Sequence, residues 1–310
     1  MSAHVVPGTA NAALAAAVAA ELGTEPCSCA VERFPDGELR PAVANVRGED
    51  VYVIQPTGPP VNDHVVELLL LLDACRRAGA DRLTAVVPYF GYARQDRRGK
   101  AGEAVGARVV ADALAVAGAD RLVVVDPHTA ALEATCPIPV DMLTAVPVLT
   151  AALQPATAAT AVLVAPDLGA VKLAERYASL LGFPVVVIRK SRVSGQSVRA
   201  HELVGDVRGR PAVIVDDMIS TGATIEGAAA VLRAQGALSG PVVAATHGPL
   251  ASGAMARMVA AGVRRVFVTD TTTTGSESDD LQVCPVATLL ADAIRRLNEN
   301  APLDDLLLYA

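Results

Sequence analysis

The sequence predicts an α/β chain made of two similar doubly wound parallel-sheet domains. Three observations carry this: apolar β-type runs recur along the 310 residues, amphipathic helical stretches separate them, and those stretches tend to end in glycine. Strand, helix, strand in repetition builds a parallel sheet with right-handed crossovers. Aliphatic side chains must fill the core, because aromatic residues are 3% of the chain and Trp is absent, and that suits strands buried on both faces.

Taken in order, strands are expected at 51–54, 83–87, 122–125, 161–165, 185–188, 212–215, 242–245 and 263–268. Between them, residues 63–78, 103–117, 171–181, 224–235 and 252–260 space their apolar side chains as one face of a helix requires. Gly79, Gly118, Gly182, Gly236 and Gly262 follow, where a left-handed residue commonly closes a helix. The pattern occurs twice, and short echoes relate the halves: 78–83 resembles 117–122, and 125–127 resembles 165–167. The turn-rich stretch 139–147 is the expected boundary, followed by a helix within 144–153, so the domains are taken as 1–146 and 147–310. Residues 155–160 are expected as a loop, and the threonine run 271–274 as a surface loop.

Composition excludes several classes. With 52% hydrophobic and 19% charged residues the chain is far from the disordered regime. A net charge of -7 argues against a broad nucleic-acid-binding face, so an anionic ligand must meet a locally basic pocket. No run reaches the roughly 18 to 20 apolar residues of a membrane span, and the start lacks the pattern of a secretory signal, so a cytoplasmic location is expected. Cys27, Cys29, Cys75, Cys136 and Cys284 are an odd count without zinc-site spacing, and neither a disulfide framework nor a metal centre follows from them.

The sharpest chemical signal is Val213-Ile214-Val215-Asp216-Asp217-Met218-Ile219-Ser220-Thr221-Gly222-Ala223-Thr224, a buried strand ending in two acids, then a small-residue turn that opens a helix. Free N–H groups and the positive end of the dipole at a helix N-terminus hold a phosphate, and small residues let it approach. Asp216 and Asp217 stand one turn away, where carboxylates accept hydrogen bonds from vicinal sugar hydroxyls or bind a divalent ion. A phosphorylated pentose satisfies both ends at once. An N-capped helix after a strand would explain Thr221, but not two acids at a strand end.

This segment resembles the ribose-phosphate loop of the type I phosphoribosyltransferase fold. The stretch Val86-Val87-Pro88-Tyr89-Phe90-Gly91-Tyr92-Ala93-Arg94-Gln95-Asp96-Arg97-Arg98 narrows the resemblance to the ribose-phosphate pyrophosphokinases, as does Arg33-Phe34-Pro35-Asp36-Gly37-Glu38. Val61-Asn62-Asp63, Pro166-Asp167-Leu168-Gly169, Lys190-Ser191-Arg192 and Ala245-Thr246-His247 match as well, collinear from Arg33 to Ile294.

The resemblance implies transfer of the diphosphoryl group of ATP to the C1 hydroxyl of ribose 5-phosphate, with Mg2+, giving phosphoribosyl pyrophosphate and AMP. It carries Asp36, Gly37 and Glu38 over as the loop that reads adenine across a subunit interface, with Arg94 and Gln95 also holding ATP. His128 and Asp167 carry over as magnesium residues, both just past expected strands, where open α/β sheets place ligands. Lys190 and Arg192 carry over as the transition-state cations of a polar loop, 191–199, that closes over the reacting phosphate. Arg192 also belongs with Asp216, Asp217, Ser220, Thr221, Gly222, Ala223 and Thr224 in binding ribose 5-phosphate. The implied partners are these two substrates and further copies of the chain, a hexamer by resemblance, with no nucleic acid and no membrane.

The sequence departs from the family pattern at 99–108, which is short and holds Glu103, and at Pro127 and Thr129, Ala170, Ser220 and Ala223. Loss of an acid at Ser220 and of a glycine at Ala223 weakens the expected ribose-phosphate site without removing it, since a nest of N–H groups needs only backbone. A non-catalytic regulatory paralogue is the alternative these departures leave open. A phosphoribosyltransferase that uses no ATP is a third reading, opposed by the matches at 33–38 and 94–96.

Overall fold

The structure, a computed structural model, describes residues 3–193, 198–238, 240–274 and 278–309, with backbone only at 190–193 and 198–201. The chain divides into two compact units, one of Met1–Thr144, Thr271–Thr273 and Val286–Ala310, the other of Ala145–Asp270 and Thr274–Pro285.

In the first unit, β1 (Ala3–Pro7) and α1 (Ala12–Glu21) precede the hairpin β2 (Cys29–Arg33) and β3 (Leu39–Val43). Then come β4 (Asp50–Ile54), α2 (Val61–Ala78), β5 (Arg82–Val87), α3 (Gly106–Ala117), β6 (Arg121–Val125), α4 (Ala131–Thr135) and β7 (Val140–Leu143). A five-stranded parallel sheet runs in the order β1-β4-β5-β6-β7. Its inner strands β4, β5 and β6 are mostly buried aliphatic residues, as burial on both faces demands. Leu68, Leu71 and Leu72 of α2 are fully buried in the core that also holds Leu114 of α3. Each such side chain contributes about 1.5–3 kcal/mol of transfer free energy.

Several expected elements are refined here. The stretch 139–147 contains β7, so the unit boundary between Thr144 and Ala145 follows a strand rather than crossing a plain turn. The helix expected from Glu103 starts at Gly106, because the Glu103 carboxylate accepts the N–H groups of Gly99 and Lys100, both at 2.8 Å, and closes a turn in the loop. Thr271 and Thr272 are buried rather than on the surface, and the Thr272 hydroxyl occupies the space a Cβ on Gly58 would need. Composition marked them as polar and could not show this packing.

The second unit runs α5 (Val146–Leu153), β8 (Val162–Ala165), α6 (Val171–Leu181), β9 (Val185–Val193), β10 (Val198–Val204), β11 (Ala212–Met218) and α7 (Ala223–Ala234). It continues through β12 (Val242–His247), α8 (Ala254–Ala260), β13 (Arg265–Thr269) and β14 (Leu281–Cys284). Its sheet has seven strands in the order β10-β9-β8-β11-β12-β13-β14, parallel except for β10. Strand succession leads away from β8 through β9 and away from β11 through β12, so the order reverses between β8 and β11. Open α/β sheets bind ligands at such a reversal, beyond the carboxyl ends of the strands. The polar loop expected at 191–199 is in part a ladder: β9 extends to Val193 and pairs with β10, leaving 194–197 outside the described residues.

The chain then returns to the first unit with α9 (Ala287–Glu299), which buries Leu290, Ala291, Ala293 and Ile294 and packs on α1 and β1. The Arg295 guanidinium donates to the Glu21 carbonyl at 3.2 Å, and the Leu308 N–H donates to the Met142 carbonyl at 2.7 Å. All five cysteines are free thiols. Among the described residues no helix is long and apolar enough to cross a membrane.

At the amino-terminal edge of the first sheet, the buried Asp50 carboxylate is held by its register partner Arg82, with Arg82 Nε 2.7 Å from Asp50 Oδ1. The hydrogen bonds from Arg82 keep the Asp50 carboxyl below its ordinary value. Asp50→Asn is expected to lower the unfolding free energy by about 2 kcal/mol at neutral pH, measured by urea denaturation. A lowered folded-state value makes the contribution complete above the unfolded carboxylate range, about pH 4, and removes it at lower pH, so the gap between the two proteins should close on acidification.

Candidate active site

In the second unit the site is built on β11. Val213, Ile214 and Val215 are buried, and the strand emerges at the reversal point with Asp216 and Asp217, both half-buried. The Asp217 N–H donates to Asp216 Oδ1 at 3.0 Å. Burial, then the like charge of Asp217, push the Asp216 carboxyl up to about 8, with a smaller push from Asp167. One group of the pair therefore keeps a proton near neutrality, and a cation or hydroxyl donors arriving there would relieve the repulsion.

The turn after the pair is held from the side. The Ile219 N–H donates to the His247 carbonyl at 2.9 Å, and the Leu250 and Ala251 N–H groups donate to the Ile219 and Ser220 carbonyls at 3.2 and 2.9 Å. Gly222 has φ +75°, and a Cβ there would lie 3.1 Å from the Ala254 carbonyl oxygen. Only glycine fits that position without strain. Ala223 then opens the 12-residue α7, whose first N–H groups have no partner within the helix, with the side chains of Thr221 and Thr224 exposed beside them. The supporting segment 247–254 was not singled out from sequence as a brace, although it contains Gly248 and Gly253.

Asp167 follows β8, the neighbour of β11, and its Oδ1 accepts the N–H groups of Gly169 at 2.9 Å and Ala170 at 3.3 Å. It therefore shapes the entry to α6. Lys190 and Arg192 lie in β9, the other neighbour of β8, by their backbone, and their side chains fall outside what the structure describes.

In the first unit, the segment after β5 is fixed by tight packing. The Gly91 N–H donates to Thr57 Oγ1 at 2.6 Å, and a Cβ on Gly91 would lie 2.6 Å from the Thr57 carbonyl oxygen. The Gln95 N–H donates to the Tyr92 carbonyl at 2.8 Å, closing a turn that presents Arg94 and Gln95 to solvent. Arg94 makes no hydrogen bond or ion pair among the described residues, and Arg97, Arg98 and Lys100 are exposed beyond it. This makes a locally basic surface on an acidic chain. His128 is exposed just past β6, the neighbour of β5, after a buried Asp126 with φ +36°. Asp36, Gly37 and Glu38 lie at the tip of the β2–β3 hairpin, which forms a separate two-stranded sheet. The Phe34 N–H donates to the Glu38 carbonyl at 2.8 Å and Gly37 takes φ +98°. Arg33 ties the hairpin to α2 through Asp63 at 3.0 Å.

The oxygen donors of Asp167, Asp216 and Asp217 have the hard character a divalent ion such as Mg2+ selects. Among the described residues no three His, Cys, Asp or Glu side chains converge into a closed metal cage. A hard ion that completes its shell with water and phosphate oxygens does not need one.

A parallel sheet with an acidic pair and a small-residue turn opening a helix at its reversal point is the architecture of the type I phosphoribosyltransferase fold. The family description "N-terminal domain of ribose phosphate pyrophosphokinase" matches residues 3–118, and "Phosphoribosyl synthetase-associated domain" matches residues 192–307. A ribose-phosphate pyrophosphokinase of Thermosipho africanus is 35% identical, covering 96% of this chain and 94% of its own. One from Parasynechococcus marenigrum is 40% identical, covering 95% and 90%. The crystal structure of phosphoribosylpyrophosphate synthetase from Mycobacterium smegmatis superposes with a TM-score of 0.90 at 38% identity, covering 97% of this chain and all of that one. The chain belongs to the ribose-phosphate pyrophosphokinase family. These relatives favour the catalytic reading over the regulatory one, and the family's chemistry uses a metal ion.

Because the folded-state value of Asp216 lies above that of the unfolded chain, the folded state binds the extra proton. The ligand-free protein is therefore expected to lose stability as pH rises from about 4 to about 8, and to change little from this source above that. Thermal melts of Asp216→Asn should lack this component and show a higher Tm than the wild type at pH 8. Equal pH slopes in the two proteins would remove the assignment.

Proposed function

We propose that the chain transfers the β,γ-diphosphoryl group of ATP to the C1 hydroxyl of ribose 5-phosphate, with Mg2+, releasing phosphoribosyl pyrophosphate and AMP. The observation that carries this is the junction of β11 and α7, where Asp216 and Asp217 stand beside the open N–H groups of the Ser220–Thr224 turn. The 5-phosphate sits on those N–H groups and the hydroxyls of Ser220, Thr221 and Thr224, while Gly222 and Ala223 keep the approach clear. The carboxylates of Asp216 and Asp217 accept hydrogen bonds from the ribose hydroxyls, which directs C1 toward the donor.

ATP is held by Arg94 and Gln95, with the Arg94 fork on phosphate oxygens, and its adenine is read by Asp36, Gly37 and Glu38 of a neighbouring copy in a hexamer. The C1 oxygen attacks the β-phosphorus. The O1–Pβ bond forms, the bond from Pβ to the bridging oxygen of AMP breaks, and the C1 hydroxyl proton is released to solvent. Mg2+, when bound, would neutralise phosphate charge and orient its oxygens, and His128 and Asp167 are the residues that would hold it. Lys190 and Arg192 supply fixed positive charge where charge develops in the transition state, which is the larger part of catalysis in phosphoryl transfer. A cytoplasmic setting supplies both substrates.

The test is formation of AMP and phosphoribosyl pyrophosphate from ATP, Mg2+ and ribose 5-phosphate by the wild type and by Lys190→Ala. The variant should stay folded and lose about three to five decades of kcat, the worth of such a cation in related transfers. A folded wild type without turnover would sink the proposal.

A further inference from the structure

We infer that Arg40 is a positioning residue for the nucleotide-reading turn, holding it in shape through Phe34 and Glu32. The inference rests on the reading of Asp36–Glu38 as the adenine loop and adds a residue outside that loop. Arg40 lies on β3, one residue past the first of that strand, and is the register partner of Glu32 on β2. Its guanidinium carbon stands 5.1 Å above the centre of the Phe34 ring, and the same guanidinium pairs with the Glu32 carboxylate. One side chain thus grips both strands of the hairpin where the turn begins.

Phe34 is the joint through which this reaches the site. Its N–H donates to the Glu38 carbonyl at 2.8 Å and its carbonyl accepts the Gly37 N–H at 2.9 Å, so the residue carrying the ring also closes the turn. The ring is half-buried and the turn exposed, which leaves few apolar contacts to fix either. A second guanidinium acts from the other strand: Arg33 donates to the Gly37 carbonyl at 3.3 Å and pairs with Asp63. Neither arginine takes the side chains of Asp36 or Glu38 as partner; Asp36 Oδ1 instead accepts the Glu38 N–H at 3.1 Å, which orders the turn from within. The two acids are held in place and kept open toward a ligand. A turn preorganised in this way lowers the ordering cost of binding, and the gain falls on affinity for the nucleotide rather than on the chemical step.

The experiment is steady-state kinetics of the full chain with ATP, Mg2+ and ribose 5-phosphate, comparing Arg40→Gln, Arg40→Lys and Asp36→Ala with the wild type. An exposed cation–π contact is worth roughly a two- to five-fold change in an equilibrium, so Arg40→Gln should raise KM for ATP by about that factor. It should leave kcat and KM for ribose 5-phosphate unchanged, and Arg40→Lys, which keeps a cation over the ring, should recover most of the loss. If Asp36→Ala raises KM for ATP and Arg40→Gln does not, the inference about Arg40 is overturned while the turn keeps its role. If neither substitution moves KM for ATP, both fall. A fall in kcat or a rise in both KM values for Arg40→Gln would show a general structural role and would also overturn it.

Discussion

Two carboxylates on consecutive residues at the mouth of a buried strand repel one another, and the second unit is arranged around that repulsion. A chain selected for stability alone would not keep Asp216 beside Asp217 at the point where the sheet order reverses, since burial and like charge both oppose ionisation. The cost is tolerable because the strand beneath is fully apolar and the turn beyond is fixed by backbone bonds from 247–251. The strain is local, and a ligand with hydroxyl donors or a divalent charge would remove it. The same geometry leaves N–H groups of α7 unpaired at the opposite end of the turn. One end favours positive charge or donors, the other favours an anion, and the proposed ribose 5-phosphate offers both.

Much of this was legible in the sequence, for reasons that can be named. Strands buried on both faces appear as short uncharged runs of aliphatic and small residues, and so 83–87, 212–215 and 242–245 fall inside β5, β11 and β12. The acidic pair and the small-residue turn are consecutive in the chain, so their juxtaposition needs no tertiary knowledge. What escaped depends on distant partners. α1 is largely alanine and shows no contrast between faces, although α9 packs against it. β1, β7 and β14 are short strands at sheet edges, with too few residues for a periodic signal. The burial of Thr271 and Thr272 and the grip of Arg40 on Phe34 are contacts between residues that no local pattern links.

Charge is distributed with the same economy. The chain carries a net charge of -7, yet Arg94, Arg97, Arg98 and Lys100 stand exposed within one short loop. Other arginines are committed to structure: Arg82 to Asp50, Arg121 to Asp141 at 2.7 Å, and Arg296 to Asp292 at 2.9 Å. An acidic chain with a concentrated basic loop discourages nonspecific polyanion binding while keeping a local positive field at that loop.

The return of 286–310 to the first unit bears on how the protein is made. The last strand of the first sheet ends at Leu143, but the helix that covers α1 and β1 begins only at Ala287. A nascent chain therefore exposes the apolar faces of α1 and β1 through synthesis of the whole second unit. Only after 287–299 has been synthesised can the amino-terminal unit close, so the unit made second can finish folding first.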